Sequence, residues 1–581
     1  MTLPFENQGR LGKLSNTMAF LERLLAWFRP VHRQLAILVG LWALVGLTNL
    51  GGADLWDIDE GNNTEASREM REAGNWVVPT FNYELRVDKP ALINWLQIVS
   101  GMFFGENEFA ARFPSAVAGL ATILAVWTFG RQWLGGMAGF VAGLVLAGSP
   151  MFVAAMRFAN PDSLLTALVS WCLVFLHIGM RSGRETWWLF AASACSALAM
   201  LGKGPIGLAL PGAILLVYLL LAGGWKKVPW LYLPGALLLW LAIAAPWYIW
   251  VGTETKFAWH KGFFLQHNLG RFSAPMENHA GPFWYYLPVL LGGTFPFSSL
   301  LGLPLLTWRK GTRALFGDRL LPSGIFVVAW LAVPLVVFSI SRTKLPNYVL
   351  PAYPAMALWL TLGMVAWRRG WIAPQSGWIR FGMITLTLAG LGMVAGLLAA
   401  SGALPIGSLS AKLKPLSGLE WIAPAGLILV AGGLAGLAWS RQALQAISVV
   451  TLSGLLFTLT LGAWNGQTLN RHKAPKRLAT FLPADLRATE ARLGTFDWFQ
   501  PSLVFYARRP VSRILSEKDL VSFLQQPIPA YVALPAHRWE SLVKVPAGTC
   551  KVGQNVPDFY RRCEVVLVAN AAAVECFGVH Q

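Results

Sequence analysis

Runs of roughly twenty apolar residues, each long enough to cross the ~30 Å hydrocarbon core of a bilayer as a helix, recur along most of the chain and limit its fold more than any other feature. Thirteen are expected as spans: 34–52, 112–130, 134–157, 162–180, 187–202, 204–222, 229–251, 283–306, 322–341, 346–366, 378–401, 420–439 and 444–465. With 55% hydrophobic and only 13% charged residues, a mean hydropathy of +0.51 leaves too much apolar surface for a soluble fold to hide, so lipid is the solvent for most of the chain. The 28 Trp fit aromatic belts at the two membrane surfaces. The first residues, MTLPFENQGRLGKLSN, lack a cleavable signal pattern, so the first span is expected to stay as an anchor.

Loop charge sets the orientation. With a cytoplasmic N-terminus, the inside loops carry Arg29, Arg33, Arg131, Arg181, Arg184, Lys226, Lys227, Arg309, Lys310, Arg313, Arg319, Arg368, Arg369 and Arg441, as the positive-inside rule asks. This basic excess accounts for much of the net charge of +19 without nucleic acid; anionic lipid or phosphate partners suit it better. The stretch 91–104 is apolar but short and is followed by ENEFAAR. Counting it as a span would invert every later loop, so it is read as a helix on the outer membrane surface, with a second over 60–73. An odd span count puts the C-terminus outside, which for a bacterial inner membrane is the periplasm.

From about 466 the composition changes. PSLVFYA, AYVALP and EVVLVA read as strand-like stretches with helical ones between them, a small α/β domain. The expected fold class is therefore mainly α, a polytopic bundle of about 13 transmembrane helices with interfacial helices and a C-terminal α/β domain. The expected domains are a cytoplasmic segment 1–33, a transmembrane domain 34–465 with its key loop at 53–111, and a periplasmic domain 466–581. Cys172 and Cys195 lie in apolar segments and read as packing residues. Cys550, Cys563 and Cys576 lie in the tail, where a Cys550–Cys563 disulfide would suit an oxidising compartment. No zinc-type spacing is present in the sequence.

The outer loops hold the unusual residues: DLWDIDEGNNTEASREM, then NWVVPTFNYELRVDKPALINWL, RFANPDS, LGKGP, FFLQHNLGRFSAPMENHAGPFWYY and SRTKLPNYVLP. Carboxylates, lysines and histidines gathered at one end of apolar helices are expensive to bury and favour a functional explanation. Taken in order, these segments resemble the bacterial aminoarabinose–lipid A transferases and, more distantly, the protein O-mannosyltransferases. Both are integral-membrane glycosyltransferases of the type called GT-C. The likeness runs over roughly residues 30–370.

The resemblance implies a polyprenyl-phosphate-linked sugar donor and transfer on the outer face of the membrane. It also implies residue roles. Asp59 takes the place of the catalytic carboxylate, with Glu60 beside it and Asp162 as the acidic residue of the second outer loop; Asp57 is a weaker candidate. Asp59 and Asp162 also read simply as helix N-caps. Lys89 in DKP and Lys203 in LGKGP match lysines expected at the carrier phosphate, joined by Arg271, Arg342 and Lys344; the plainer reading is snorkelling to headgroups. Asn63 and Tyr348 are candidates for substrate contact, whereas Trp284, Tyr285 and Tyr286 also read as interfacial anchors. Asp88, His267 and His279 are the candidate ligands of a divalent ion such as some relatives hold, an incomplete and sequence-distant set. In the tail, Gln500, Ser502 and Arg508 are candidates for an acceptor surface.

Two departures leave the donor sugar and the acceptor open. Gly61-Asn62-Asn63 stands where the aminoarabinose enzymes have an Ala-Arg-Tyr-type segment, and Arg86-Val87-Asp88-Lys89 replaces a Tyr-Phe-Glu-Lys-type one. The acceptor is thus lipid A, another envelope glycan or a periplasmic protein. A lipid-linked sugar transporter would place its ionisable groups near the midplane of repeated halves. Here the charges cluster at one end of the helices and no repeat is visible.

Overall fold

A computed structural model describes residues 27–182, 186–270, 279–309, 312–373, 377–404, 415–483, 490–542 and 544–577. Expectations for Arg271, most of segment 1–33 and the side chain of Cys576 lie outside the described residues.

Helix covers all thirteen apolar stretches, though not as thirteen straight spans. Eight helices are long and apolar enough to cross a membrane, or ten if two bent pairs each count once. One pair, Gly136–Ala147 and Pro150–Met156, bends by 72°, and the other, Phe283–Gly293 and Phe297–Trp308, by 102°. Proline causes both breaks: Pro150 opens its helix and Pro296 sits between the two halves of the second pair, where it can donate no backbone hydrogen bond. Val31–Leu47, Trp187–Lys203 and Ile206–Ala222 are shorter. The last two have 17 residues each, only about 25 Å at 1.5 Å per residue, the lower limit for a span.

Small residues let these helices approach. A Cβ added at Gly139 would stand 2.5 Å from the Trp127 carbonyl oxygen and 2.6 Å from the Arg131 nitrogen, so Gly136–Ala147 meets Glu108–Leu134 backbone to backbone. The latter helix starts where the Asn107 side chain accepts from the Ala110 N–H, 2.9 Å away.

Both expected surface helices are present, as Asp59–Glu72 and Leu92–Phe104. The first does not lie open on a membrane surface: Glu60, Asn63, Glu65, Arg68 and Glu69 are all buried. It is covered by the Leu92–Phe104 helix and by the C-terminal unit.

That unit is a five-stranded mixed sheet. After a small hairpin between the Asp59–Glu72 and Leu92–Phe104 helices (β1 Thr80–Phe81, β2 Glu84–Leu85), the strands are β3 Arg492–Phe496, β4 Val511–Ile514, β5 Ala530–Pro535, β6 Cys550–Asp558 and β7 Cys563–Ala569. Their spatial order is β4-β3-β5-β7-β6, with the first three parallel and β7 and β6 antiparallel. Leu493, Tyr531 and Leu567 face one core, and Phe496, Val532 and Val566 face the other.

Two expectations are corrected here. PSLVFYA is a helix, Pro501–Ala507, not a strand: Pro501 sets the dihedral of a first helical turn, and Pro501 to Phe505 are all buried rather than alternating. Cys550 and Cys563 do not pair. They stand at opposite ends of the β6–β7 hairpin, where Cys550 faces Ala569 and Cys563 faces Asp558, roughly 25 Å apart along the strand, too far to bond to each other.

Replacing Gly139 by Val is expected to destabilise the bundle by about 1–3 kcal/mol, because the new methyls meet backbone that cannot move aside. Thermal unfolding in detergent, followed by tryptophan fluorescence, checks this; an unchanged midpoint would contradict it.

Candidate functional site

The loop after the first helix is fixed by one buried ion pair. Glu60 is fully buried and Arg112 is 2% exposed. Arg112 donates to both Glu60 oxygens, through Nε (2.8 Å) and Nη2 (2.7 Å), and to the carbonyls of Leu50, Ala53 and Asp54. Glu60 also accepts from the Trp56 and Ala159 N–H groups at 2.8 and 2.7 Å. With both oxygens bonded and no exposure, Glu60 organises the loop instead of meeting a substrate.

Asp59, one residue earlier on the same helix, points the other way. Its side chain is 47% exposed, and one oxygen accepts from Lys89 Nζ at 2.9 Å. Lys89 chiefly, with Lys203 also contributing, holds the Asp59 carboxyl below its ordinary range although burial acts against this. Burial also works against the Lys89 ammonium, but Asp59 and Asp88 more than offset it and raise its pKa. Asp88 is in turn clamped by Arg86, from Nε at 2.5 Å and Nη2 at 3.0 Å. Despite burial, Arg86 and Lys89 keep Asp88 well below the usual carboxylate range.

A second pair comes from the bundle. Asp162 begins the Asp162–Ser182 helix, and Lys203 ends Trp187–Lys203, where a cation suits the helix C-terminus. Gly204 stops that helix at φ +83° and leaves no room for a Cβ against Phe263, which is why the LGKGP turn needs glycine there. Lys203 Nζ bonds Asp162 Oδ1, and Asn347 Nδ2 donates to Asp162 Oδ2 at 2.8 Å. The same ammonium lies 4.7 Å from the centre of the Tyr348 ring. One place therefore holds two carboxylates, each matched to a lysine, with an aromatic face between chain segments far apart in sequence.

Other expected site residues are occupied elsewhere. Asn63 is fully buried, donating to the Ala159 carbonyl and accepting from Arg86 Nη2 at 2.7 Å, so it braces the loop. Lys344 caps the end of the Thr312–Ile340 helix, with Nζ on the Ser339 and Ser341 carbonyls at 2.8 and 2.7 Å. Arg342 is exposed. Among the described residues no three His, Cys, Asp or Glu side chains, the expected Asp88, His267 and His279 included, are grouped as a metal site. Asp88 already holds the Arg86 guanidinium, with His267 close enough to act on its charge, and His279 is tied through its backbone carbonyl to the Lys344 N–H. Gln500, Ser502 and Arg508 turn inward, to Asp558, Asp57 and Glu106.

Sequence reading missed Arg86, Asn347, Arg112 and Arg157. Arg157 donates to the carbonyls of Val45, Gly46, Thr48, Asn49 and Gly462, tying the first helix to the last. It lines a cavity of about 310 Å³ together with Trp56, Arg112 and Phe158. A signal existed for Arg112 and Arg157, arginines at the ends of the expected spans 112–130 and 134–157.

Over most of its length the fold is similar to the crystal structure of ArnT from Cupriavidus metallidurans bound to undecaprenyl phosphate. The TM-score is 0.75 and the identity 24%, covering 94% of this chain and 98% of that one. The apo structure of the same protein gives 0.74. Residues 88–250 match the family described as dolichyl-phosphate-mannose-protein mannosyltransferase. In sequence, the chain is 33% identical over 318 residues to an undecaprenyl phosphate-alpha-4-amino-4-deoxy-L-arabinose arabinosyl transferase of Aeromonas salmonicida, covering 54% of this chain and 56% of the relative. The corresponding protein of Pectobacterium atrosepticum is 30% identical over 374 residues, covering 61% and 65%. The chain thus spans little more than half the length of the first of these relatives and just under two thirds of the second. The resemblance read from the sequence is borne out.

Removing Arg112 alone, as Arg112→Met, strands the Glu60 carboxylate and is expected to cost roughly 3–5 kcal/mol. The double variant Glu60→Gln/Arg112→Met is expected to recover part of that loss. A double-mutant cycle of unfolding midpoints in detergent measures the coupling; additive losses would contradict it.

Proposed function

We propose that this chain is an inverting glycosyltransferase of a bacterial inner membrane. It moves one sugar from an undecaprenyl-phosphate-type carrier to an envelope glycolipid such as lipid A on the periplasmic face. The observation that carries the reading is the half-exposed Asp59 carboxylate paired with Lys89, with Asp162 and Lys203 beside it. The relatives named as undecaprenyl phosphate-aminoarabinose transferases support the donor class.

In this reading the carrier phosphate competes with Asp59 for Lys89, and with Asp162 for Lys203, when the donor binds. Freed in part from Lys89, the Asp59 carboxylate accepts a hydrogen bond from the acceptor hydroxyl. That oxygen attacks C1 of the sugar and the C1–O bond to phosphate breaks. The hydroxyl proton passes to Asp59, and the bonding electron pair leaves with the polyprenyl phosphate. Its added charge falls on Lys89 and Lys203, which stabilise it where it develops. Arg271 and Arg342 are further candidates to reach that phosphate. Paired with Lys89 before the donor binds, Asp59 enters the reaction ionised, ready to orient the hydroxyl and take its proton as the new bond forms.

The topology that fits this chemistry has thirteen spans, counting the bent pairs and the short helices, with the N-terminus cytoplasmic. The basic clusters then lie inside, and the unit from 466 onward is periplasmic, on the side of Asp59.

The test is transfer in vesicles from a synthetic undecaprenyl-phosphate-linked aminoarabinose to lipid A, with the lipids resolved by mass spectrometry. The wild type is expected to transfer; Asp59→Asn loses about 10³-fold or more, and Lys89→Met about 10²–10³-fold. Normal turnover by Asp59→Asn would sink the proposed mechanism. Label moving only to an added glycan or protein acceptor would reassign the acceptor and keep the reaction class.

A further inference from the structure

The loop that carries Asp59 has no regular structure of its own from Asp54 to Trp56, and its place is fixed from outside. On one side the bundle holds it through Arg112. On the other, the C-terminal part of the chain, more than 400 positions away, grips nearly every residue before Asp59. The Asp54 N–H donates to Asn470 Oδ1 at 2.9 Å, and its carbonyl accepts from Lys473 Nζ at 2.8 Å. The Leu55 N–H donates to the Tyr506 hydroxyl at 2.8 Å, and the Asp57 N–H to the Tyr560 hydroxyl at 2.9 Å. Lys473, itself buried, sits 3.4 Å over the Trp56 ring.

The tightest of these ties is the Asp57 side chain. Oδ1 accepts from the Ser502 N–H at 2.8 Å and Oδ2 from the Ser502 hydroxyl at 2.5 Å. The contact is close enough that a Cβ at Gly61 would stand 2.5 Å from the Ser502 nitrogen and 2.6 Å from Asp57 Oδ1. This explains Gly61, one of the departures from the aminoarabinose enzymes: here the Asp59–Glu72 helix must pass directly under the Pro501–Ala507 helix.

We infer that the C-terminal unit is a working part of the transferase site, and that Asp57 is the positioning residue through which it sets the place of Asp59. The inference rests on the reading of Asp59 as the acceptor-orienting carboxylate. Asp57 touches neither Lys89 nor Lys203, so it acts through the loop alone. A misplacement of about 1 Å at a reacting group is enough to cost on the order of 10²-fold in rate.

The electrostatics give the tie a signature of its own. Around Asp57 stand Lys473, Asp558, Tyr560 and, next to it on the loop, Glu60. Burial pushes Asp57 up to about 7, against the two Ser502 bonds and Lys473, with Asp558 adding to the rise. Only the ionised carboxylate accepts both Ser502 bonds. Asn at this position stands in for the protonated acid, accepting from the N–H and donating to the hydroxyl oxygen without the charge that strengthens both bonds, and it does not titrate.

The experiment compares the full-length wild type with Asp57→Ala, Asp57→Asn and Ser502→Ala. It reads vesicle transfer across pH 5.5–8.5 and hydrogen–deuterium exchange of peptides from 53–62 and 500–507. The pH range spans about one and a half units either side of 7. The wild type is expected to show transfer rising with pH through about 7. Asp57→Ala should lower kcat about tenfold or more while KM for the donor changes less than about threefold. It should also speed exchange in both peptides. Asp57→Asn should hold one rate across the range, that of the wild type at its low-pH end, with no limb near pH 7, and Ser502→Ala should act in the direction of Asp57→Ala with a smaller effect. Wild-type kcat, pH limb and exchange in Asp57→Ala would overturn the inference. Loss in Asp57→Ala matched by an equal loss in Asp57→Asn with the limb intact would also overturn it. Should the wild type transfer nothing, the functional reading fails, while the exchange data still decide whether Asp57 ties the two units together.

Discussion

The Glu60–Arg112 bridge is the interaction on which the rest of the outer site depends. Two charges with almost no exposure are costly to desolvate, and such a pair adds little net stability compared with apolar residues of the same size. What it does supply is a single geometry. Arg112 belongs to a long bundle helix, Glu60 to the loop helix, and the guanidinium gathers three further loop carbonyls while the carboxylate gathers two N–H groups. No shifted register satisfies all of these groups, so the loop enters its helix at one fixed point. Glu60 faces inward from that point and Asp59 outward.

The outward side then assembles with little further machinery. Helix ends deliver Asp162 and Lys203, a tight turn delivers Lys89, and each lysine arrives already matched to a carboxylate. In the absence of a ligand this arrangement leaves neither charge of either pair alone near the membrane, where an unpaired charge is most expensive. In the proposed reaction a phosphate that enters would replace a carboxylate on the same ammonium. The C-terminal unit closes the arrangement from the far side, through Asp57, Tyr506 and Lys473.

Much of this was legible in the sequence, for identifiable reasons. Apolar runs locate membrane helices because burial in lipid tolerates few charges, so helix fell on every expected stretch. The exact number of spans did not follow, because Pro150 and Pro296 bend two of them and three others are barely long enough. Charge at the ends of apolar helices marked the segments that hold Asp59, Lys89, Asp162 and Lys203, and the resemblance to the aminoarabinose transferases singled out those four. What charge and motif order cannot give is direction. Glu60 and Asn63 share the Asp59 segment, yet the helical turn aims them into the protein; Lys344 lies in a promising motif, yet it caps a helix. Asn347 and Asp57 work through partners distant in sequence, as Arg86 does in reaching Asn63, and no local pattern marks such partners. PSLVFYA misled because seven mostly apolar residues fit a buried helix as well as a strand.

The most direct measurement of the central claim, that the carrier phosphate takes Lys89 from Asp59, is the affinity of the purified protein for undecaprenyl phosphate itself. Native mass spectrometry of the wild type, Lys89→Met and Asp59→Asn would supply it. The account predicts that Lys89→Met weakens binding by about tenfold or more, since a charge-assisted bond to phosphate is lost. It predicts that Asp59→Asn binds more tightly than the wild type, since the competing carboxylate is gone. Equal affinity in all three proteins would contradict it.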